Sequence, residues 1–182
     1  MKTSLNKLFI TMAVTAATSG AMVNAAEPGH IDFEGTVTNT PCGISADSLN
    51  QSVDFGQVGL ANLDADGLSE RRLFDIKLVN CIIPADTGND TVKITFDGTT
   101  VSGQSKELKT DGTAGDVVVK LFTLADDEEI TFGVPISEQF ENGNTWMNTM
   151  QFYAVAAKSA KDDAAVSEGG FAAEATFTLD YN

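Results

Sequence analysis

Apolar and polar side chains alternate with a period of two along many short segments of this sequence. Because successive side chains of a strand point to opposite faces of a sheet, this pattern predicts strands with one buried face. Helical periodicity is nearly absent, and the Ala-rich stretch 154–165 is predicted to be a strand end that runs into a loop. The strands are expected at Ile31 to Val37, Leu73 to Val79, Val92 to Phe96, Val117 to Leu124, Met150 to Ala156 and Phe171 to Tyr181.

Clusters of Gly, Asn, Asp and Ser separate the predicted strands, and these residues favour turns. About seven short strands with frequent turns in roughly 150 residues are typical of a β-sandwich of the immunoglobulin type. The sequence shows no internal repeat and no long Pro/Ser linker. We therefore predict an all-β fold with one sandwich domain.

The first 25 residues have the features of a secretory signal peptide. Lys2 and Lys7 give a positive start, Leu8 to Ala17 form an apolar run, and Val23 to Ala25 offer small residues for cleavage before Ala26. The apolar run is about ten residues, whereas a membrane-spanning helix needs roughly 20. A lipoprotein signal needs a Cys at the cleavage point, but the first Cys is Cys42. The sequence thus predicts an exported chain without a membrane anchor.

The formal net charge is −15, and loss of a leader with two lysines and no acid makes the mature chain more negative still. Such a chain repels phosphate backbones and anionic lipid surfaces. The charge therefore disfavours nucleic acid and anionic membrane surfaces as partners.

Cys42 and Cys81 are the only two cysteines. In an exported chain an even pair usually forms one disulfide, with two buried free thiols as the alternative. A bridge closing a loop of about 40 residues stabilises a fold by roughly 4 kcal/mol when only chain entropy is counted. Two cysteines and one distant histidine do not make a closed zinc site.

Candidate catalytic residues are few. Any Ser/His/Asp or Cys/His arrangement needs His30, the only histidine, which lies near the predicted mature terminus where chains are usually mobile. The acidic run Asp126 to Glu129 is expected to be a solvated face and not an acid/base pair. No phosphate-binding Gly-rich loop is present in the sequence. We predict that the chain is not an enzyme and needs no cofactor.

The segment Asn62 to Gly67 resembles the start of a calcium-binding loop, with oxygen ligands at alternate positions and Gly at the sixth. The twelfth position, where a bidentate Glu belongs, is Leu73, and no helical pattern flanks the segment. An acidic turn is the favoured interpretation, so no metal site is predicted.

Several motifs, in order along the chain, resemble those of the chaperone/usher pilins of Gram-negative bacteria, the type 1 and P fimbrial subunits. These motifs are Phe33-Glu34-Gly35-Thr36-Val37 with Pro41-Cys42, then Val53-Asp54-Phe55-Gly56-Gln57-Val58, then Phe74-Asp75-Ile76-Lys77-Leu78-Val79-Asn80-Cys81, and finally Phe171 to Asn182. Together they cover essentially the whole predicted mature chain. The resemblance implies an immunoglobulin-like sandwich that lacks one strand and is completed by a donor strand from a neighbouring subunit.

The C-terminal segment carries the most specific part of the resemblance. Family pilins end with alternating apolar residues, a penultimate aromatic residue and a Gly fourteenth from the end, and here these are Tyr181 and Gly169. In the family this strand lies beside the missing strand and pairs with a periplasmic chaperone during assembly. The resemblance therefore assigns a groove strand to Gly169, Phe171, Ala173, Ala175, Phe177, Leu179 and Tyr181.

The predicted mature N-terminus resembles the complementary part of the family mechanism, in which an extension inserts into the groove of the next subunit. Apolar or small residues alternate here with the polar residues His30, Asp32, Glu34 and Thr36. The resemblance implies a donor extension at 26–37 and a pilin domain at 38–182, although this segment could also be the first strand of its own domain. The expected donor residues are Gly29, Ile31, Phe33, Gly35 and Val37.

The function implied by the resemblance is that of a structural subunit of an adhesive fimbria that supports cell adhesion. Its expected partners are other pilin subunits, a periplasmic chaperone and an outer-membrane usher, and its expected location is a fimbria on the bacterial surface, reached through the periplasm. The alternative is an adhesin or minor tip subunit that binds a host glycan or receptor directly. Trp146 could stack on such a sugar or simply anchor a strand beside a turn.

Overall fold

The structure, a computed structural model, describes residues 30–82, 91–139, 147–161 and 163–181. The chain divides into two compact units, the first ending at Thr36 and the second beginning at Val37. In the first unit, residues 30–36 form no regular secondary structure. Ile31 is 72% exposed and Phe33 is 89% exposed. The strand expected at Ile31 to Val37 is therefore not formed within the chain.

The second unit contains eleven strands and two short helices in its described residues. Their order is β1 (Gly43–Ile44), α1 (Ala46–Leu49), α2 (Leu60–Asp64), β2 (Arg72–Val79), β3 (Thr91–Gly98), β4 (Thr100–Val101), β5 (Gln104–Lys109), β6 (Asp111–Gly112), β7 (Val117–Thr123), β8 (Ile136–Gln139), β9 (Met147–Lys158), β10 (Phe171–Ala172) and β11 (Ala175–Tyr181).

A six-stranded sheet has the order β1-β2-β9-β7-β5-β4, and its neighbouring strands are antiparallel. The long strand β9 lies in the middle, paired with β2 on one side and β7 on the other. One face is apolar because alternate residues of these strands are apolar, and Ile76, Leu121 and Phe152 on that face are buried.

A three-stranded sheet of order β11-β3-β8 supplies the other layer of the sandwich. Val92, Ile94 and Phe96 of β3 are buried in the same core cluster as the apolar face of the large sheet. The ring of Phe96 lies edge-on to Phe152, with 5.1 Å between ring centroids. Such contacts between two apolar sheet faces form the core of a sandwich. The predicted all-β fold is thus confirmed.

Cys42 and Cys81 form a disulfide, which confirms the predicted bridge. Both cysteines are buried, and they belong to the core cluster. The bridge joins the residues before β1 to the end of β2, so it closes one end of the sandwich.

The two helices were not predicted. α1 has four residues and α2 has five, which is too short for a helical period to show in the sequence. The Ala-rich stretch behaves as predicted, because β9 continues to Lys158 and is followed by a loop. Within the described ranges, no helix is long and apolar enough to cross a membrane.

Candidate functional site

An open apolar groove of about 530 Å³ lies between the C-terminal segment and the segment that follows β1. Its floor consists of core residues of both sheets, among them Phe74, Phe96 and Leu121. One wall is formed by residues 171–177, and the other includes Ile44, Leu49, Val53 and Phe55. Such a groove leaves apolar core residues exposed to solvent, where a partner can bind them.

The C-terminal wall is held by hydrogen-bonded strand pairing on one side only. β11 pairs with β3 from Ala175↔Gly98 to Tyr181↔Val92. It is the outermost strand of its sheet, and no strand among the described residues pairs with its other edge. An edge of this type presents unpaired backbone N–H and C=O groups that can bind a further strand.

Alternate side chains of β11 point into the sandwich. Phe177, Leu179 and Tyr181 are partly buried and pack against the core cluster, whereas Thr176, Thr178 and Asp180 are exposed. Burial raises the pKa of the Tyr181 phenol above its ordinary value. The apolar face of β11 is therefore in place but incompletely covered.

The groove strand predicted from Phe171 to Tyr181 is divided in the structure. β10 pairs with β6 through Phe171↔Gly112 and Ala172↔Asp111, whereas β11 pairs with β3, and residues 173–174 lie between them. Ala173 and Ala175 are exposed and line the groove, so they do not pack in the core as Phe177 does. The small alanine side chains leave room above the floor at this point.

Gly169 lies in the turn before β10, where the chain passes close to another segment. A Cβ atom at this position would lie 2.5 Å from the backbone N of Ala114, which is too close for a real contact. At the neighbouring Gly170 a Cβ atom would meet open space. Gly169 therefore permits the close approach that places β10 beside β6.

The opposite wall is fastened to β2 by side chains. The backbone N–H of Lys77 donates to Ser48 Oγ at 3.0 Å, and Gln51 Nε2 donates to the carbonyl of Asp75 at 2.7 Å. Arg72 donates to the carbonyl of Phe55 at 3.0 Å. β1 pairs with β2 only at Leu78 and Val79. The bonds from the groove wall therefore involve polar groups of β2 residues that precede this pairing. Motif residues Val53 and Phe55 were recognised in the sequence, but their place in a groove wall was not predicted.

Comparisons with known proteins agree with this architecture. A profile of the fimbrial protein family matches residues 31–182. The Pap fimbrial major pilin protein of Escherichia coli is 37% identical to the chain, over 96% of the chain and 98% of the relative. The chain belongs to the fimbrial protein family.

Solved pilin structures resemble this fimbrial protein closely. The crystal structure of the P pilus rod subunit PapA superimposes with a TM-score of 0.70 at 36% identity, covering 79% of this chain and all of PapA's. A subunit from the structure of a chaperone–usher pilus gives a TM-score of 0.76 at 36% identity, covering 85% of this chain and 96% of the other.

This fimbrial protein is thus a structural pilus subunit of the bacterial surface, and its family is a structural family and not one of enzymes. The similarity to major pilins and rod subunits favours the structural role over the adhesin alternative. The likeness is also consistent with an incomplete immunoglobulin-like sandwich.

The predicted donor residues lie at the N-terminal end of the described chain. Ile31 and Phe33 are exposed in the first unit, and Val37, which begins the second, is fully exposed. Gly35 has no atom within 4 Å of a Cβ placed on it. Gly29 lies outside the described residues, as do the signal peptide and Trp146. His30, the residue considered for catalysis, is exposed, and its Nε2 lies 3.0 Å from a carboxylate oxygen of Asp32.

The segment Asn62 to Gly67 forms the end of α2 and a turn, as expected for an acidic turn. Lys158 donates from Nζ to the carbonyl of Asp64 at 3.2 Å and pairs with the carboxylate of Asp66 at 2.9 Å. The lysine ammonium therefore already pairs with one of the carboxylates that a calcium ion would need. Among the described residues no group of three or more His, Cys, Asp or Glu side chains is arranged to hold a metal.

The acidic run Asp126 to Glu129 contributes ion pairs on the outer face of the large sheet. Tyr153 donates to Asp127 at 2.5 Å, and Arg71 pairs with the same carboxylate at 3.0 Å. The hydrogen bond from Tyr153 and the bond from Arg71 hold the pKa of Asp127 below its ordinary value. The carboxylate stays charged, as a solvated ion pair does, and is not set up as a general acid.

Glu107 is a buried carboxylate that the sequence did not reveal. It is 1% exposed and accepts hydrogen bonds from Ser159 Oγ at 2.8 Å and the backbone N–H of Ala160 at 2.9 Å. Lys120 Nζ lies 3.5 Å from the same carboxylate. Except for Leu108, the surrounding residues of β5 are polar or charged, so the sequence gives no sign that the carboxylate is buried. Glu107 fastens the loop after β9 to the large sheet.

Proposed function

We propose that this pilin polymerises by donor-strand exchange: residues 26–37 of one subunit insert beside β11 of the next and complete its sandwich. The observation that supports this most is the apolar groove beside the edge of β11 that pairs with no described strand. Strand addition suits such a groove because backbone hydrogen bonds supply affinity and alternate side chains in pockets set the register.

The extension matches the C-terminal segment in length and in pattern. Residues 26–37 and residues 171–181 each span about 36–40 Å when extended at roughly 3.3 Å per residue. Within that segment, residues 171–177 form the groove wall. Ile31, Phe33 and Val37 lie on one face of an extended strand, and their exposure leaves them available to a neighbour. The other face carries His30, Asp32, Glu34 and Thr36, which would remain in water.

The same groove accounts for the proposed need for a periplasmic chaperone. Before assembly, an uncovered apolar groove and an unpaired strand edge favour aggregation. A chaperone that lends a strand to the edge of β11 covers both, and an outer-membrane usher then exchanges it for the extension of the next subunit. Formation of the Cys42–Cys81 disulfide fits passage through an oxidising compartment such as the periplasm.

The proposed chain organisation follows from this mechanism. Residues 1–25 are a signal peptide, residues 26–37 are the donor extension and residues 38–182 are the pilin domain. The compact unit that begins at Val37 supports the last boundary to within one residue. Insertion of the extension also leaves the groove closed in every subunit except the one at the end of the fibre.

The test compares the full chain with a variant lacking residues 26–37, each co-expressed with a candidate periplasmic chaperone. Assembly is followed as ladders that resist SDS without boiling. The full chain is expected to form ladders, and the truncated chain is expected to stop as a soluble chaperone-bound monomer. Stable, chaperone-free monomers in both cases would show that the sandwich is already complete and would refute the proposal.

A matched pair of point variants separates the two faces of the extension. Phe33→Asp places a charge on the proposed apolar face, and Glu34→Gln changes the adjacent residue on the polar face. We expect Phe33→Asp to abolish the ladders and Glu34→Gln to leave them unchanged. Equal behaviour of the two variants would argue against insertion of an alternating strand.

A further inference from the structure

The two most exposed large apolar side chains in the described part of the second unit lie at the root of the extension. Val37 is 100% exposed and Ile82 is 80% exposed, and the next is Leu73 at 67%. A single exposed apolar residue is ordinary on a protein surface. Here, however, two such residues both lie where the proposed donor strand leaves the domain.

Ile82 is fixed to this root by covalent and hydrogen bonds. Its neighbour Cys81 is bonded to Cys42, and the backbone N–H of Ile82 donates to the carbonyl of Pro41 at 2.8 Å. Ile82 therefore stays beside the chain that leads out of the domain and cannot move away independently.

The root itself is a structured turn. Thr40 Oγ1 donates to the carbonyl of Cys42 at 2.7 Å, and the hydroxyls of Thr38 and Thr40 lie 2.9 Å apart. Val37 and Pro41 are four positions apart in the sequence, so their Cα atoms are at most about 15 Å apart even in an extended chain. If Val37 enters the groove of a second subunit, Ile82 is therefore held close to the end of that groove.

We propose that Ile82 is a contact residue of the junction between consecutive subunits and packs against the subunit that receives the extension. The partner is a second copy of this chain, and the inference rests on the donor-strand exchange proposed above. Each copy is strongly acidic. Burial of an aliphatic side chain at the junction offsets part of the repulsion between like-charged subunits and limits bending at the root.

Hydroxyl-radical footprinting of the unmodified chain tests this contact. Monomers whose grooves hold a synthetic peptide of residues 26–37 are compared with SDS-resistant dimers isolated after assembly is stopped with excess peptide. A dimer contains one junction, so the oxidation of Ile82 is expected to fall by about half, since the core of an interface excludes water. Leu73, on the outer face of the large sheet, is the control and is expected to keep its rate.

The outcomes are distinguishable. Absence of an SDS-resistant dimer would refute donor-strand exchange and the junction contact with it. Formation of the dimer with unchanged oxidation of Ile82 would overturn the junction contact alone.

Two variants provide a second measurement on whole fibres. Ile82→Ser is expected to form normal ladders but more flexible fibres, with a shorter persistence length in electron micrographs, whereas Ile82→Val keeps the stiffness. Leu73→Ser serves as a control for loss of an exposed aliphatic side chain elsewhere. Fibres of Ile82→Ser that are as stiff as those of the unmodified chain would contradict the inference.

Discussion

β9 and β11 are both antiparallel strands with alternating apolar residues, but they differ in how fully their apolar faces are covered. β9 has a partner on each side, and its inner residues Phe152 and Ala156 are completely buried. Among the described strands β11 has a partner on one side only, and its inner residues Phe177 and Leu179 remain partly exposed. The difference arises from a missing neighbour and not from residue type. The inner side chains that remain partly exposed therefore lie along one sheet edge, where a strand from another chain can cover them.

The largest expected effect contrasts two phenylalanines on these strands. Phe152→Ala should lower the free energy of unfolding by about 3–5 kcal/mol, because a fully buried ring leaves a cavity. This loss should be the same with the groove empty or filled. Phe177→Ala should cost less in the empty subunit and more once a peptide of residues 26–37 covers the ring. Urea unfolding with and without the peptide measures both. A cost at Phe177 that does not depend on the peptide would break the comparison.

The next effect concerns Glu107, a buried residue of the large sheet away from the groove. Glu107→Gln should destabilise the chain by about 1.5–3 kcal/mol, because it weakens charge-assisted hydrogen bonds in a buried site. The loss should be independent of the peptide, since Glu107 lies outside the groove lining. Glu128→Gln, at an exposed position, is the control and should be close to neutral in the same urea titration. A neutral Glu107→Gln would show that the carboxylate does not fasten the loop.

A smaller effect is expected at the turn that leads into the groove wall. Gly169→Ala should cost about 1–2 kcal/mol, because the added methyl group requires the neighbouring backbone to shift. It should also weaken binding of the peptide by displacing β10. Gly170→Ala adds the same atom in open space and is the matched control. Similar thermal denaturation and peptide titration curves for the two variants would contradict this account of the turn.

The smallest effect is a pH dependence of stability that arises from Asp47 of α1, in the groove wall opposite the C-terminal segment. Hydrogen bonds from Ser45 and then Lys77 lower the pKa of Asp47 from 3.8 to about 2. Because the folded-state pKa is depressed, the stabilisation is present above pH 3.8 and is lost as the pH falls through about 2. The decrease in urea midpoint from pH 5 to pH 2 should therefore be smaller in Asp47→Asn.

The partner of Asp47 provides the control for this pH dependence. In a Lys77→Met background, Asp47→Asn should change the decrease in urea midpoint less than it does in the unmodified chain. An equal change in both backgrounds would exclude Lys77 as a cause of the pKa shift.

The sequence predicted the strands whose alternation is regular and whose partners lie in the same chain. β2, β3, β7 and β9 match the predicted segments to within three residues at each end. The disulfide was predictable because an exported chain with two cysteines has one pairing available. Period-two alternation predicts such strands because a strand with one buried face needs an apolar residue at every second position.

Other features depend on tertiary contacts that no local pattern contains. The division of the C-terminal segment into β10 and β11 follows from a change of partner, from β6 to β3, at residues 173–174. The groove wall around Val53 and Phe55 is held by side-chain hydrogen bonds to β2, which spacing along the chain does not reveal. The burial of Glu107 likewise depends on donors from residues 159–160, far away in sequence.

Amide hydrogen exchange in β11 tests the central claim most directly. The full-length chain is measured before and after addition of a peptide of residues 26–37, with a Phe33→Asp peptide as control. The account predicts that alternate amides of residues 175–181, those not bonded to β3, exchange rapidly at first and become protected only by the unmodified peptide. Alternate amides that are protected without any peptide, or that still exchange rapidly in its presence, would contradict the claim that this edge accepts the strand.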